Sequence, residues 1–419
     1  MTPVRHQDQT TGATPGAAKA SGSQTQAGRI AVCIIVENNS APFDRRVWQE
    51  ARALADAGYR VSVICPKRPG YSSSYEIVEG IEIYRHKKWE ATSALGYIGE
   101  YSWSLICEFL LALRIYARTR FRVLHACNPP DIIFLIGAFF KLLGVRFIFD
   151  HHDLSPELFE AKFGRKGFVY RLLRAAERLT FRTADVCVAT NESFREIALQ
   201  RGGKRLDQVF VVRNCPDLTD ILARSPRPGS EREKPLRVVY VGLMAQQDGI
   251  DLLLESIEHI VKRESRRDVQ FVLIGDGPAL PFLQSRAASR GLAPYVTFTG
   301  RVPHEQVADY LSRADIGVAS DPKNELNDQS TMIKIFEYMA HGVPAVLFDL
   351  KEGRRIADQA ALYASPNDPI DFAAKITELL DCEELRRQLG DCGRERVERR
   401  LNWQCEKAYL LEAYNTALK

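Results

Sequence analysis

The chain is 419 residues long, 45% hydrophobic and 26% charged, with a formal net charge of +4; these are ordinary values for a globular protein long enough to build two cores. Nine cysteines are scattered without a C-x-x-C, and Cys33, Cys65 and Cys187 lie inside apolar runs, so a disulfide scaffold is excluded in favour of free thiols in a reducing compartment. The small net charge hides an asymmetry, 30 Lys+Arg against 21 Asp+Glu over residues 1–213 and 27 against 32 thereafter, which favours an anionic surface or substrate on one side only.

Residues 1–28 are polar and rich in Gly, Ala, Ser, Thr and Gln, without the apolar core of a signal peptide; they are expected to be a disordered tail on a cytoplasmic protein. R-I-A-V-C-I-I-V-E (29–37) predicts a first buried strand, followed by the loop N-N-S-A-P-F, a helix from Asp44 to Ala57 stopped by Gly58, and a strand over 59–66. Strands near 81–86, 122–127, 146–151, 185–190 and 208–213 continue the alternation. It predicts an α/β domain over 29–216 with a mostly parallel sheet. The most apolar run, Ile132 to Phe140, is cut by Lys141, far short of the ~20 residues that span a bilayer, so no transmembrane helix is predicted.

Two places in this half carry chemistry. At the end of a strand, F-I-F-D-H-H-D-L-S-P-E-L-F (147–159) crowds ionisable groups where an α/β domain binds ligands. Each of His151 and His152 reads either as a site residue or as a hydrogen-bonded core residue. Farther on, Lys162 to Arg182 interleaves Arg165, Lys166, Arg171, Arg174 and Arg178 with Phe168, Val169, Leu172, Leu173 and Leu179. That pattern suits an amphipathic helix lying on an anionic membrane, or equally a packed helix with a solvated basic face.

Between Cys215 and Pro235 the chain has turn residues and charges but no periodicity, which marks a domain boundary. A second series of strands follows, 237–242, 269–277, 296–300, 316–320 and P-A-V-L-F (344–348), for a second α/β domain over 217–402. Two doubly wound, Rossmann-like domains facing a cleft are the implied architecture. No G-x-G-x-x-G follows the first strand and no Walker loop occurs, which argues against a nicotinamide enzyme or a P-loop ATPase. Gly275, Asp276, Gly277 and Pro278 form a turn directly after a buried strand, where glycine permits close backbone approach.

S-T-M-I-K-I-F-E-Y-M-A-H-G-V-P (330–344) predicts a helix with Ser330 as N-cap, Gly342 as the left-handed stop and Pro344 beyond it. Ser330, Lys334, Glu337 and His341 fall within about 60° on one face, with Met332, Ile333, Phe336, Met339 and Ala340 opposite. Because a buried strand follows, the helix start points to the ligand-binding ends of the sheet and forms an anion site.

E-Y-M-A-H-G-V-P resembles the donor-binding signature of glycosyltransferase family 4, retaining enzymes of the GT-B fold. The likeness extends over roughly 29–415, and D-R-R-V-W-Q-E-A (44–51) resembles the opening of a bacterial polysaccharide branch. The resemblance implies that Glu337 binds the ribose of a nucleotide-sugar, with a UDP-sugar as the expected donor, while backbone amides near Ser330, Thr331 and Met332 hold its diphosphate. It implies that His152 sits beside the donor sugar with His151 as a structural neighbour. Gly242, the turn Gly275–Asp276–Gly277 and the loop F-T-G-R-V-P with Arg301 and Val302 would complete the donor site, and Asn39, Arg45, Asp153 and Glu157 would line the acceptor side. The segment 403–419 would return as a helix to the first domain. Such enzymes need no metal, no D-x-D stands at a suitable strand end, and the nucleotide-sugar is a substrate, so no cofactor is expected.

Two positions depart from the family pattern. Leu243 and Asp248 stand where Arg and Lys usually neutralise the diphosphate, and Gln329 replaces the first Glu of E-x7-E. Lys334 is the expected substitute cation, with Arg301 and Lys323 in reserve. The expected activity is retaining transfer of a sugar to a lipid-linked saccharide in exopolysaccharide or O-antigen assembly, peripheral to the inner face of the plasma membrane, with no nucleic-acid partner. The alternatives are a non-catalytic nucleotide-sugar-binding subunit and a nucleotide-sugar epimerase of the same fold.

Overall fold

The computed structural model describes residues 28–89, 94–164, 166–218 and 235–419. The tail expected over 1–28 and the boundary expected between 215 and 235 lie largely outside the described residues, as does Arg165. The first sheet has eight strands, β1 Ala31–Ile35, β2 Arg60–Pro66, β3 Tyr75–Val78, β4 Ile81–His86, β5 Val123–Cys127, β6 Arg146–His151, β7 Val186–Ala189 and β8 Val209–Val211. Their order is β3-β4-β2-β1-β5-β6-β7-β8. All neighbours are parallel except β3, an antiparallel edge on β4. The interior strands are buried along their length apart from the first residues of β2 and β6, Arg60 and Arg146, which is why they read as continuous apolar runs and not as alternation.

Among the described residues the helices of this half are α1 Arg45–Asp56, α2 Ala94–Thr119, α3 Phe134–Leu142, α4 Ser155–Phe163, α5 Phe168–Thr183 and α6 Glu192–Gln200. Helix α1 starts where the Asp44 carboxylate accepts from the Val47 N–H at 3.1 Å, and α6 where Asn191 accepts from Phe194 N–H at 2.8 Å. The chain leaves β1 for β2 and β4 on one side and returns through β5 to the other. The sheet therefore has its topological switch between β1 and β5, and the loops after β1, β5 and β6 gather at that end.

The second sheet repeats the plan with β9 Leu236–Val241, β10 Val269–Ile274, β11 Val296–Gly300, β12 Ile316–Ala319, β13 Ala345–Phe348 and β14 Ala361–Ala364, all parallel, in the order β11-β10-β9-β12-β13-β14. Its switch lies between β9 and β12. Strands β3 and β14 were not expected from the sequence. Both are four-residue edge strands whose half-exposed residues leave no buried run to read. The final helix, Trp403–Leu418, is capped by Asn402 and buries Trp403, Leu410, Ala413, Tyr414 and Ala417 against the first sheet beside Val32, Ile34 and Val47. No described helix is long and apolar enough to cross a membrane.

The two halves also meet through polar contacts at one end of the cleft. Glu352 accepts from the Ser193 hydroxyl at 2.6 Å and backbone N–H at 3.1 Å, while Lys351 and Arg355 both reach Glu196, at 2.7 and 3.0 Å. The Asn191 amide donates to the Gln329 carbonyl at 2.9 Å and to Thr331 Oγ1 at 3.1 Å.

Candidate active site

The loops at the second switch point are pressed together, and glycine is what allows it. A Cβ on Gly275, whose φ is +140°, would stand 1.8 Å from the Gly242 carbonyl oxygen, and one on Gly277 would stand 2.4 Å from that of Met244. The expected turn Gly275–Asp276–Gly277 thus packs backbone to backbone on Gly242–Met244, with Asp276 capping its own turn through the Gly277 N–H at 2.7 Å. Val302 packs against the apolar cluster that includes Phe336, leaving Arg301 exposed at the rim.

The helix at the centre of the sequence reading runs over Ile333–Ala340, with Gly342 in the left-handed region at φ +66° as expected. Its start is a correction. Ser330 is not the N-cap: L-N-D-Q-S closes a short helix of its own, Glu325–Gln329, capped by Asn324, and the Ser330 hydroxyl donates back to the Leu326 carbonyl at 2.7 Å. The longer helix begins after Met332 with no side-chain cap; the Ile335 N–H donates to the Met332 carbonyl at 3.0 Å, and the N–H groups of Ile333 and Lys334 remain available to an anion. Ile333, expected on the buried face, is half exposed, and Tyr338 is buried instead. Its hydroxyl bonds the carbonyls of Val239 and Val318, at 3.2 and 2.9 Å, and seats the helix across the switch point. Gln329 spends its side-chain N–H on the Glu325 carbonyl at 2.8 Å.

Lys334 is the second correction. The expectation aimed its ammonium along the polar face toward the helix start. The structure buries it: Nζ lies 3.0 Å from both Asp321 oxygens and 4.6 Å from the centre of the Tyr240 ring. An ammonium held by a carboxylate leaves no net charge, so Lys334 in this arrangement is not a free clamp for a diphosphate. Asp248 lies close enough to feel both Lys334 and Asp321; burial pushes its carboxyl up to about 6, against the hydrogen bond from Ala245 N–H. Asp321 and Tyr240 were missed by the sequence reading, although Asp321 carries the same signal as His152, a charged group directly after a buried strand.

Glu337 faces the opening between the halves with 15% of its side chain exposed, and Arg45 Nη1 from α1 approaches it to 3.5 Å. Burial raises the Glu337 carboxyl above its ordinary range while Arg45 opposes that shift. A second contact crosses beside it, the Arg301 guanidinium lying 5.3 Å from the centre of the Phe43 ring, which Arg68 also covers at 4.6 Å. Buried Arg85 fixes this loop by donating to Ser40 Oγ at 2.9 Å and the Ala41 carbonyl at 2.6 Å, and Asn39 accepts from Arg68.

His152 stands at the end of β6 on a buried charged network. Asp150 accepts from Arg46, at 2.8 and 3.1 Å, and from the His152 ring at Nε2. Arg46 also bonds the Val212 carbonyl and Asn214, both at 2.7 Å, and lies 3.2 Å from Glu50 one turn along α1. Both N–H groups, Arg46 Nε and His152 Nε2, are satisfied when they donate to Asp150, which leaves Nδ1 as the ring atom turned from the pair. Burial alone would lower the His152 pKa, but the Asp150 carboxylate outweighs it and the net shift is upward. His151 is enclosed by Phe149, Phe181 and Phe194, and burial drives its pKa to about 3.

Of the expected acceptor-side residues, Asn39 and Asp153 lie on the loops after β1 and β6 and Arg45 opens α1 facing the cleft, whereas Glu157 points away from it. It is 1% exposed and turned inward onto Arg201 at 2.6 Å, because the first turn of α4 packs on α5. His125, Cys127 and Asp150 bring three potential metal ligands within 4.8 Å, but Arg46 already supplies the positive charge at Asp150, and a cation there would have to displace it.

Residues 44–215 match the family model described as "Glycosyl transferase 4-like domain", and residues 235–382 match "Glycosyl transferases group 1", together about three quarters of the chain. Among individual proteins, the chain is 30% identical over 161 residues to the alpha-D-kanosaminyltransferase of Streptomyces kanamyceticus, covering 38% of this chain and 40% of that relative's length. Among solved structures, the sucrose-phosphate synthase of Thermosynechococcus elongatus superposes with a TM-score of 0.72 at 18% identity, covering 92% of this chain and 98% of the other. An Anabaena protein, HepE, solved in complex with UDP, superposes with a TM-score of 0.61 at 12% identity, covering 92% and 100%.

Proposed function

The chain belongs to the family-4, group 1 glycosyltransferases of the GT-B fold, and from that premise we propose that it is a retaining enzyme moving a sugar from a UDP-sugar to a lipid-linked saccharide. The observation that carries the reading is the Arg45–Glu337 contact. It sets the carboxylate expected to bind ribose against the first residue of α1, whose neighbour Arg46 shares Asp150 with His152. UDP bound to a structural neighbour of the same fold supports the nucleotide.

On this reading the uncapped start of the helix Ile333–Ala340 takes the diphosphate, and the Gly242 and Gly275–Gly277 loops form its floor. Arg301 and Arg45, the exposed cations at the rim, supply the positive charge that Leu243 and Asp248 do not. As the glycosidic bond breaks, negative charge grows on the departing diphosphate, and these donors stabilise it where it develops. The acceptor hydroxyl enters beside His152, and the departing phosphate oxygen takes its proton. Lipid linkage of the acceptor is suggested by α5, which leaves Phe168, Val169, Leu172 and Leu179 exposed among Arg171, Arg178 and Arg182.

The Lys334–Asp321 pair favours one competing reading, a nucleotide-sugar-binding subunit without activity, since the family's cations are replaced and the substitute is neutralised. Incubating the purified chain with a panel of UDP-sugars distinguishes the two. Slow release of UDP from one donor, accelerated by acceptor lipid, is expected; tight donor binding with no release or transfer would leave the binding subunit.

A further inference from the structure

The structure assigns a second anion site: we propose that a cavity of about 550 Å³ at the base of the first half binds the phosphate of an anionic phospholipid headgroup. This rests on the reading above that α5 lies against a membrane. The cavity opens at the N-terminal ends of β6 and β7, the opposite edge of the sheet from His152, and is lined by Lys141, Arg146, Arg182 and Lys204 together with Asp185.

Charge accounting leaves it positive. Lys141 neutralises Asp185 at 2.7 Å and also donates to the Thr183 carbonyl at 2.8 Å, and the neighbouring Arg205 and Asp207 pair with each other. Arg146 and Arg182 have no carboxylate within 4.0 Å among the described residues, and Lys204 touches only a backbone carbonyl, that of Ala184, while burial lowers its pKa. Arg146 and Arg182 therefore face the cavity without a carboxylate partner among the described residues, and Lys204 shares Asp185 with Lys141, so the lining keeps an excess of positive charge that an anion relieves.

The surroundings select a lipid over a soluble anion. Leu142, 86% exposed, follows Lys141 directly, and Leu179 lies one turn before Arg182. From there the exposed apolar residues continue along α5 through Leu172 and Val169 to Phe168, which is 79% exposed. The Lys141–Thr183 bond ties the ends of α3 and α5 together at the cavity wall. A free phosphate uses the cations alone. A phospholipid uses both, its phosphate in the cavity and its acyl region against the leucines, which sets α5 parallel to the bilayer over its length of roughly 24 Å.

The test is flotation of the full chain with phosphatidylcholine vesicles, with or without phosphatidylglycerol, at fixed salt. The parent should float with the anionic vesicles and not the neutral ones. At about fivefold per surface charge, Arg146→Gln/Arg182→Gln should weaken that binding roughly 25-fold, while the charge-matched Arg387→Gln/Arg399→Gln on the other half leaves it unchanged. Equal flotation of Arg146→Gln/Arg182→Gln and parent, with loss in Phe168→Ser/Leu172→Ser, overturns the cavity but keeps the membrane reading. A parent that floats with neither vesicle overturns both. Should millimolar inorganic phosphate then raise the melting temperature of the parent and not of Arg146→Gln/Arg182→Gln, the site belongs to a soluble anion and the lipid assignment fails.

Discussion

Lys334 directs its ammonium to Asp321, with Nζ 3.0 Å from both carboxylate oxygens in the interior of the second half. Its angular position beside Glu337 was legible, but the direction of a long side chain depends on what the neighbouring strands offer, and Asp321 arrives from 13 residues away. The pair makes a stability prediction. Lys334→Ala leaves a buried carboxylate alone and should cost about 3 to 5 kcal/mol, whereas Lys334→Met/Asp321→Asn should recover most of it, as read by denaturant unfolding. A single variant as stable as the parent would contradict the pairing, and unchanged donor affinity in the double variant would release Lys334 from any phosphate role.

Asp248 yields a pH dependence. Its carboxyl is held up near 6 in the folded chain against an ordinary value of 3.8, so the folded state binds that proton more tightly than the unfolded one. The stabilisation is fully present below about 4 and is lost as pH rises through about 6. Asp248→Asn, which keeps an oxygen for the Ala245 N–H, should therefore raise Tm by roughly 2 to 6 °C at pH 7.5 and change it little at pH 4. Equal Tm gains at both values would assign the effect to packing instead.

The elements that periodicity and capping describe well were legible: α1 from Asp44, the interior strands, and the stop at Gly342. The start of the helix Ile333–Ala340 was not, because Ser330 and Asn324 are both good caps and the choice between them is made by packing. The glycine loops were legible as turns, but their partner was not. The sequence showed that glycine permits close backbone approach at this turn without naming what approaches, and the structure supplies the neighbour, the segment Gly242–Met244. Gly275→Ala should therefore cost more than 3 kcal/mol through the clash with the Gly242 carbonyl. Gly291→Ala, at φ +65° with nothing within 4 Å, should cost about 1 kcal/mol. Comparable losses at the two sites in parallel melts would remove the packing argument.

For the whole molecule, two doubly wound units could be read from the strand runs, but their mutual placement could not, because no local pattern encodes contacts such as Arg45–Glu337 or Phe43–Arg301. Arg45 and Arg46 illustrate the point. Adjacent in sequence, they part at the surface of the first sheet, Arg46 inward to Asp150 and Arg45 across the cleft. The i, i+4 spacing of Arg46 and Glu50 was the available clue to the buried member. The cleft claim depends on Glu337 serving the donor and not the fold, and the 3.5 Å contact to a half-exposed Arg45 adds little stability. The most direct measurement is calorimetric titration of UDP into the parent and Glu337→Ala, with melting curves of both. Loss of the charge-assisted hydrogen bonds predicts an affinity roughly tenfold to a hundredfold weaker at a Tm within about 2 °C of the parent; equal UDP affinity in the two proteins would contradict it.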